Sequence, residues 1–346
     1  MDKSANFVSK ENLKTRILLF FLVIGCASLW MPLAKAQEPD SLDSHKISPQ
    51  TENEKPTEQS VASQNLAPYA MPWQLRTIIP GTGARFDSAV AFYDDKNGNA
   101  AGTAIASMLG GNYKLLPELA LSIRVGFVNN NPPASAPSAT SFINPFLGGL
   151  YSFKLSSDFR LGFFLGVTVP LGTGGGNYPD PAIQSANSAG ILARSAMDNA
   201  LFAVNYFTVI PGVDLAYIAH GFTVQLEATL LQLTRVRGEQ IDKDPSRTNF
   251  TSGVAVGYAF SPQVFLESEL RYQRWLDNQT VAASASPATE NLSFAVGPRF
   301  QLKTGNLTMK PGLAYAQGIS GPMAHGGYTY PTNSDKIIFF DIPVSF

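Results

Sequence analysis

Cysteine is almost missing from this chain: Cys26 is the only one in 346 residues, and it sits in an apolar leader. Without the leader, no thiol remains for a disulfide, a metal site or nucleophilic catalysis. Histidine is nearly as scarce, at His45, His220 and His325. These fall in an N-terminal polar stretch, a turn and a loop, too scattered for one metal site. A hydrolase on a strand surface would need a Ser–His pair, and no predicted strand carries a histidine. Basic excess is also absent: 25 Lys+Arg face 26 Asp+Glu, for a net charge of −1, which argues against nucleic acid as a partner. Beyond residue 36 there is no apolar run near 18 residues, so a membrane protein built from helices is excluded. No catalytic residue, metal or cofactor is expected.

The first 36 residues read as a signal peptide. Lys3, Lys10, Lys14 and Arg16 precede an apolar core from Ile17 to Trp30, and Ala34-Lys35-Ala36 offers a cleavage site. Two processing sites fit, cleavage after Ala36 and lipidation at Cys26 within Val23-Ile24-Gly25-Cys26. Cleavage after Ala36 removes five Lys/Arg and two Asp/Glu and moves the net charge to −4. Residues 37–74 are expected to form a disordered periplasmic extension. The stretch up to about 66 is rich in Gln, Glu, Ser and Pro and has too little apolar surface to offset its ordering entropy.

Residues 75–346 change character. Stretches of alternating apolar residues recur, separated by turn-rich breaks. In the clearest, Leu119, Leu121, Ile123, Val125 and Phe127 alternate with Ser122, Arg124 and Gly126, and Phe159, Leu161, Phe163, Leu165, Val167 and Val169 with Arg160, Gly162, Gly166 and Thr168. Twelve strands are predicted: 84–93, 102–112, 119–128, 141–155, 159–170, 207–218, 222–236, 249–260, 264–276, 290–303, 307–318 and 336–346. Their connections alternate between tight turns, such as Ser156-Ser157-Asp158 and Ala219-His220-Gly221, and long polar loops. Short turns on one side and long loops on the other are the pattern of a transmembrane antiparallel β-barrel, all-β and formed by a single chain. At the C-terminus, Phe340, Ile342, Val344 and Phe346 share one parity. That ending resembles the signal read by the outer-membrane assembly machinery, which is an expected partner alongside outer-membrane lipid.

The opposite faces should point into the lumen. Lumen-lining candidates are Arg124, Arg160, Asp214, Glu227, Glu267, Glu269, Arg271 and Arg299. Arg85, Asp87, Arg235, Lys303, Lys310 and Asp341 complete the set, giving eight positive and six negative groups. The near balance fits ion pairs filling a narrow barrel as well as a polar lining that selects solutes.

The longest connection, 171–206, starts Gly172-Thr173-Gly174-Gly175-Gly176. It lacks the Lys-Ser/Thr of a phosphate loop. From Ala189 to Asn205, apolar residues at Ile191, Leu192, Met197, Leu201 and Val204 predict an amphipathic helix of about four turns. A loop of this length calls for a role, and it is expected to fold over or into the barrel mouth as a constriction.

The alternating strands, the glycines on their lumen faces and the strand end Thr168-Val169-Pro170-Leu171-Gly172 resemble outer-membrane transporters associated with phenol degradation. More distantly, they resemble long-chain fatty-acid and hydrocarbon channels. The resemblance covers about 75–346 and carries over no substrate-site motif. It implies a Gram-negative outer-membrane location and a non-enzymatic channel for passive uptake of small uncharged or amphipathic solutes. Pro68-Tyr69-Ala70-Met71-Pro72-Trp73 reads equally as a plug or as a tether into the first strand. The alternative function is a non-transporting barrel acting as an adhesin or envelope anchor.

Overall fold

A computed structural model describes residues 68–94, 101–133, 136–238, 245–277, 290–320, 323–325, 328–330 and 336–346. The signal peptide, with Cys26, and the extension as far as residue 67, with His45, lie outside the described residues.

The period-2 stretches form twelve barrel strands. These are β1 (Gly83–Asp94), β2 (Ala101–Lys114), β3 (Leu119–Asn131), β4 (Phe146–Lys154), β5 (Phe159–Thr168) and β6 (Tyr206–Ala219). They continue as β7 (Phe222–Arg235), β8 (Ser246–Ser261), β9 (Val264–Trp275), β10 (Glu290–Phe300), β11 (Gly312–Ser320) and β12 (Lys336–Ser345). Each pairs with the next in the ring, antiparallel wherever two strands meet. The ring closes where β1 meets β12, from Gly83 opposite Ser345 to Phe92 opposite Lys336. Closure removes the free edges that an open sheet would present to lipid, where unpaired backbone groups are costly.

Parity decides the faces, because a one-residue slip would turn every side chain over. Phe86, Leu121, Ile123, Phe127, Phe163, Leu165 and Phe340 all point outward and are exposed. Their neighbours of opposite parity, among them Ala120, Phe164 and Asp341, are buried inside. The exposed ring of Phe, Leu and Ile is the apolar band a barrel presents to hydrocarbon.

Four expected elements differ, one being the tenth stretch, which ends as a barrel strand at Phe300 ahead of the separate short strand Leu302–Thr304. The fourth strand starts at Phe146, not 141: Ala139–Phe142 is a separate short strand paired only with the end of β3. Ile143, Asn144 and Pro145 separate the two, and proline supplies no donor to the ladder. The eleventh stretch divides at Lys310-Pro311 into Leu307–Met309 and Gly312–Ser320, for the same reason. The loop helix lies earlier than predicted, as α1 (Pro181–Ala193), followed by the single turn α2 (Asn199–Phe202). Asp180 caps α1, its carboxylate accepting from the Ala182 N–H at 2.8 Å, and Pro181 occupies the first turn. An Asp-Pro pair is a strong start signal, and it outweighs the apolar spacing further along.

Candidate functional site: the occupied lumen

The inward face of the wall has two characters. Toward the long-loop end, β1, β2, β10 and β11 present small residues: Ala89, Ala91, Ala104, Ala106, Ala295, Ala314 and Ala316 are all buried. Toward the short-turn end, and across β6 to β9, polar and charged side chains such as Thr223, Gln225, Glu227, Glu267 and Glu269 are set among apolar ones such as Ile210, Leu231 and Phe265. Each half is filled by a different segment of the same chain.

The 171–206 loop fills the first half. Ala189, Leu192, Ala193, Ala196, Leu201 and Phe202 pack with the alanine wall, Met108 and Val128 in one apolar cluster. Alanines supply the room, since any larger side chain there would occupy the helix's volume. Between the helices, Ser195 and Ala196 both take positive φ (50° and 57°). This costs energy for residues with a Cβ and holds only where surroundings enforce it. Here Asn291 donates to the Ser195 carbonyl at 3.3 Å and Arg271 to its hydroxyl at 3.4 Å. The loop also inserts a cation. Arg194 is 1 % exposed and pairs with Asp87 on β1 at 2.6 Å and with Asp198 at 2.9 Å. Asp198 in turn meets Arg124 of β3 at 3.2 Å. Burial alone would raise the Asp198 pKa, but the guanidinium groups of Arg194 and Arg124 outweigh it and hold the carboxyl below its ordinary value.

Residues 68–82 occupy the other half. The boundary expected at residue 75 therefore falls inside a continuous lumenal segment. Tyr69, Ala70 and Trp73 are buried within the barrel, and the segment that carries them runs on into β1 at Gly83. The wall holds the segment mainly by its backbone. Glu269 accepts from the Trp73 and Gln74 N–H groups, Glu227 from Arg76 N–H at 2.7 Å and Thr223 from Ala70 N–H at 3.0 Å. Gln225 donates to the Arg76 carbonyl at 2.6 Å, Lys310 to that of Tyr69 at 3.0 Å and Arg85 to those of Pro72 and Trp73. Lumenal glycines receive the side chains. A Cβ at Gly257 would collide with Ala70, one at Gly312 with Trp73, and one at Gly253 would come within 2.5 Å of Leu75.

The eight lining candidates can now be placed. Asp214 and Glu227 are buried around Arg76, the one charged side chain of the lumenal segment. Glu269 pairs with Arg271 at 2.7 Å. Arg299 meets Glu267 at 3.1 Å and grips Asp341 with two nitrogens at 2.7 and 3.1 Å, with its guanidinium 4.2 Å over the Trp73 ring. Arg124 borders the loop. Arg160 sits half-buried at the short-turn end of β5 and makes no ion pair among the described residues. Of the wider set, Lys303 is exposed on the hairpin strand Leu302–Thr304, outside the lumen. His325 ends the short loop strand Met323–His325, so one histidine is in a strand after all, though not a barrel strand. Sequence reasoning missed Arg76, Arg194 and Asp198. The first lies just inside the expected barrel but ahead of its first predicted strand at 84, and the other two lie in the 171–206 loop, where apolar spacing and a glycine run carried the reading.

Between the lumenal segment and the wall of β1 to β8 and β12 a cavity of about 420 Å³ remains. It runs from Asn112 and Ser345, near the strand ends by the short turns, to Met197, Asp198 and Leu201 of the loop. Phe146, Leu150, Phe164, Ile210 and Leu231 give it an apolar side, and Arg76, Arg124 and Glu227 a charged one.

No protein-family model and no curated protein matches the chain. Solved structures do. An outer membrane channel from Pseudomonas putida F1 superposes with a TM-score of 0.51 at 12 % identity, over 80 % of this chain and 99 % of that one. This likeness is one of fold. The chain shares that protein's antiparallel β-barrel fold. The NanC porin (TM-score 0.46, 10 % identity, 75 % of this chain and 98 % of that one) and the CymD monoaromatic hydrocarbon channel (0.36, 12 %, 77 % and 89 %) match more loosely.

Proposed function

We propose that this protein is a channel of the Gram-negative outer membrane for passive uptake of small uncharged or amphipathic solutes. In this reading residues 68–82 and the 171–206 loop hold it closed. The observation that carries the proposal is the cavity beside the lumenal segment. A barrel filled for stability alone has no reason to keep about 420 Å³ free, since interiors close-pack to the density of organic crystals. Its lining suits the solute class: aromatic and aliphatic side chains on one side and a few charged groups on the other, the usual make-up of a small-molecule site. The balanced wall charges give no reason to expect strong selection by ionic sign.

The alternative, a barrel that anchors or adheres and transports nothing, draws support from one specific feature. The lumen is occupied from both ends, and Asp87, Asp341 and Glu269 are each neutralised by an arginine. Proteoliposome swelling separates the two readings. The channel reading expects swelling in small uncharged solutes that falls as solute size rises, and a faster rate once Pro68–Pro80 is deleted. Swelling no faster than empty liposomes, for both proteins, leaves the anchoring reading in place.

A further inference from the structure

One contact in the lumen differs from the other ion pairs. Arg299, Arg271 and Arg194 meet carboxylates in a wall or loop packed on all sides. Arg76 instead brings its guanidinium, on a segment entering from outside the ladder, to two wall carboxylates. Its Nε and Nη2 each lie 3.3 Å from Asp214, and its Nη1 lies 3.3 Å from Glu227 Oε1. The plane sits 4.2 Å over the Phe164 ring. The neighbouring wall position is Gly212, where a Cβ would come within 2.6 Å of Arg76 Nη2. Two acceptors, an aromatic face and a gap that only glycine leaves form a complete receptor for a planar cation. The two carboxylates exceed the one cation, and no second basic side chain pairs with either among the described residues. The cavity reaches this receptor: Arg76, Phe164, Glu227 and Thr229 all line it.

We propose that Asp214, Glu227 and Phe164 form a cation site for solute, occupied in this closed state by the chain's own Arg76. A solute bearing a guanidinium or alkylammonium group enters the cavity, takes Arg76's place, and so frees the segment that Arg76 pins. This rests on the channel reading above and narrows its amphipathic class to molecules with an apolar body and a cationic head. The apolar body has a surface to meet in Leu150, Ile210 and Leu231.

The test is calorimetric titration in detergent micelles with ethylguanidinium, using uncharged ethylurea as the shape control. With the internal competitor gone, Arg76→Ala should bind ethylguanidinium about tenfold or more tighter than wild type. It should show no such gain for ethylurea, and Arg76→Ala/Glu227→Gln should lose the gain. Should Arg76→Ala not fold, Arg76→Lys keeps a cation but not the planar fork, and it should also bind ethylguanidinium more tightly than wild type. Equal binding by wild type and variant overturns the site, as does a gain that survives Glu227→Gln. Because the readout needs no current, a protein that binds but does not transport sinks the channel reading alone. One that transports but does not bind sinks only the cation site.

Discussion

Single side chains on the two faces of one strand should behave oppositely. Ile123 and Leu165 point to lipid, so arginine at either place near the midplane should cost about 2–4 kcal/mol of barrel stability, read from denaturant unfolding in bilayers. Arg124→Gln keeps the side chain inside and removes one partner of Asp198, and it should unfold close to wild type. Equal loss at both parities would mean that the faces are misassigned. The lumenal glycines give a sharper case. Because a Cβ at Gly257 or Gly312 collides with Ala70 or Trp73, Gly257→Leu and Gly312→Leu should expel residues 68–82 yet leave the wall intact. Protease cutting within that segment, in a barrel still heat-modifiable on gels, is the expected result. Protection equal to wild type would show that the segment yields without leaving.

At the scale of elements, the loop and the lumenal segment are held by different forces, and their responses should differ. The loop is an apolar insert. Leu192 is fully buried among alanines, so Leu192→Ala should cost about 2–5 kcal/mol, measured as loop protection in hydrogen exchange. Acid should reach the loop through Asp198, which faces Arg194 on its own loop, Arg124 on β3 and the charge of Arg271 on β9. Its folded pKa lies below the unfolded one. The stabilisation is therefore fully present above the ordinary aspartate value of about 3.9 and is lost as pH falls through the depressed value. Loop protection, taken relative to intrinsic exchange at each pH, should be constant from neutral pH down to about 5 and fall only in stronger acid; a fall near pH 6 would contradict this.

The strands were legible in the sequence because parity is a strong signal, and all twelve stretches became barrel strands. The breaks at Pro145 and Pro311 were written there too, as residues without a backbone donor. Less legible was what fills the lumen. Ala89, Ala104, Ala295 and Ala314 point inward, and nothing local says that a helix at 181–193, far from all of them along the chain, will lie against them. Arg76 likewise gains its meaning only from Asp214 and Glu227, far away in sequence. Periodicity reports which way a residue points, not what it meets there.

Taken as a whole, the described residues form a twelve-stranded wall whose interior is filled by two pieces of its own chain, with a cavity of about 420 Å³ between the lumenal segment and the wall. The central claim is that these pieces close a channel that the barrel would otherwise leave open. Planar-bilayer conductance tests it most directly, comparing four proteins at one salt concentration: wild type, a deletion of Pro68–Pro80, a deletion of Gly175–Ala196, and both deletions together. Wild type should show the lowest conductance, each single deletion a rise and the double deletion the largest, all in barrels that remain heat-modifiable. A double-deleted, folded barrel that conducts no better than wild type would contradict it.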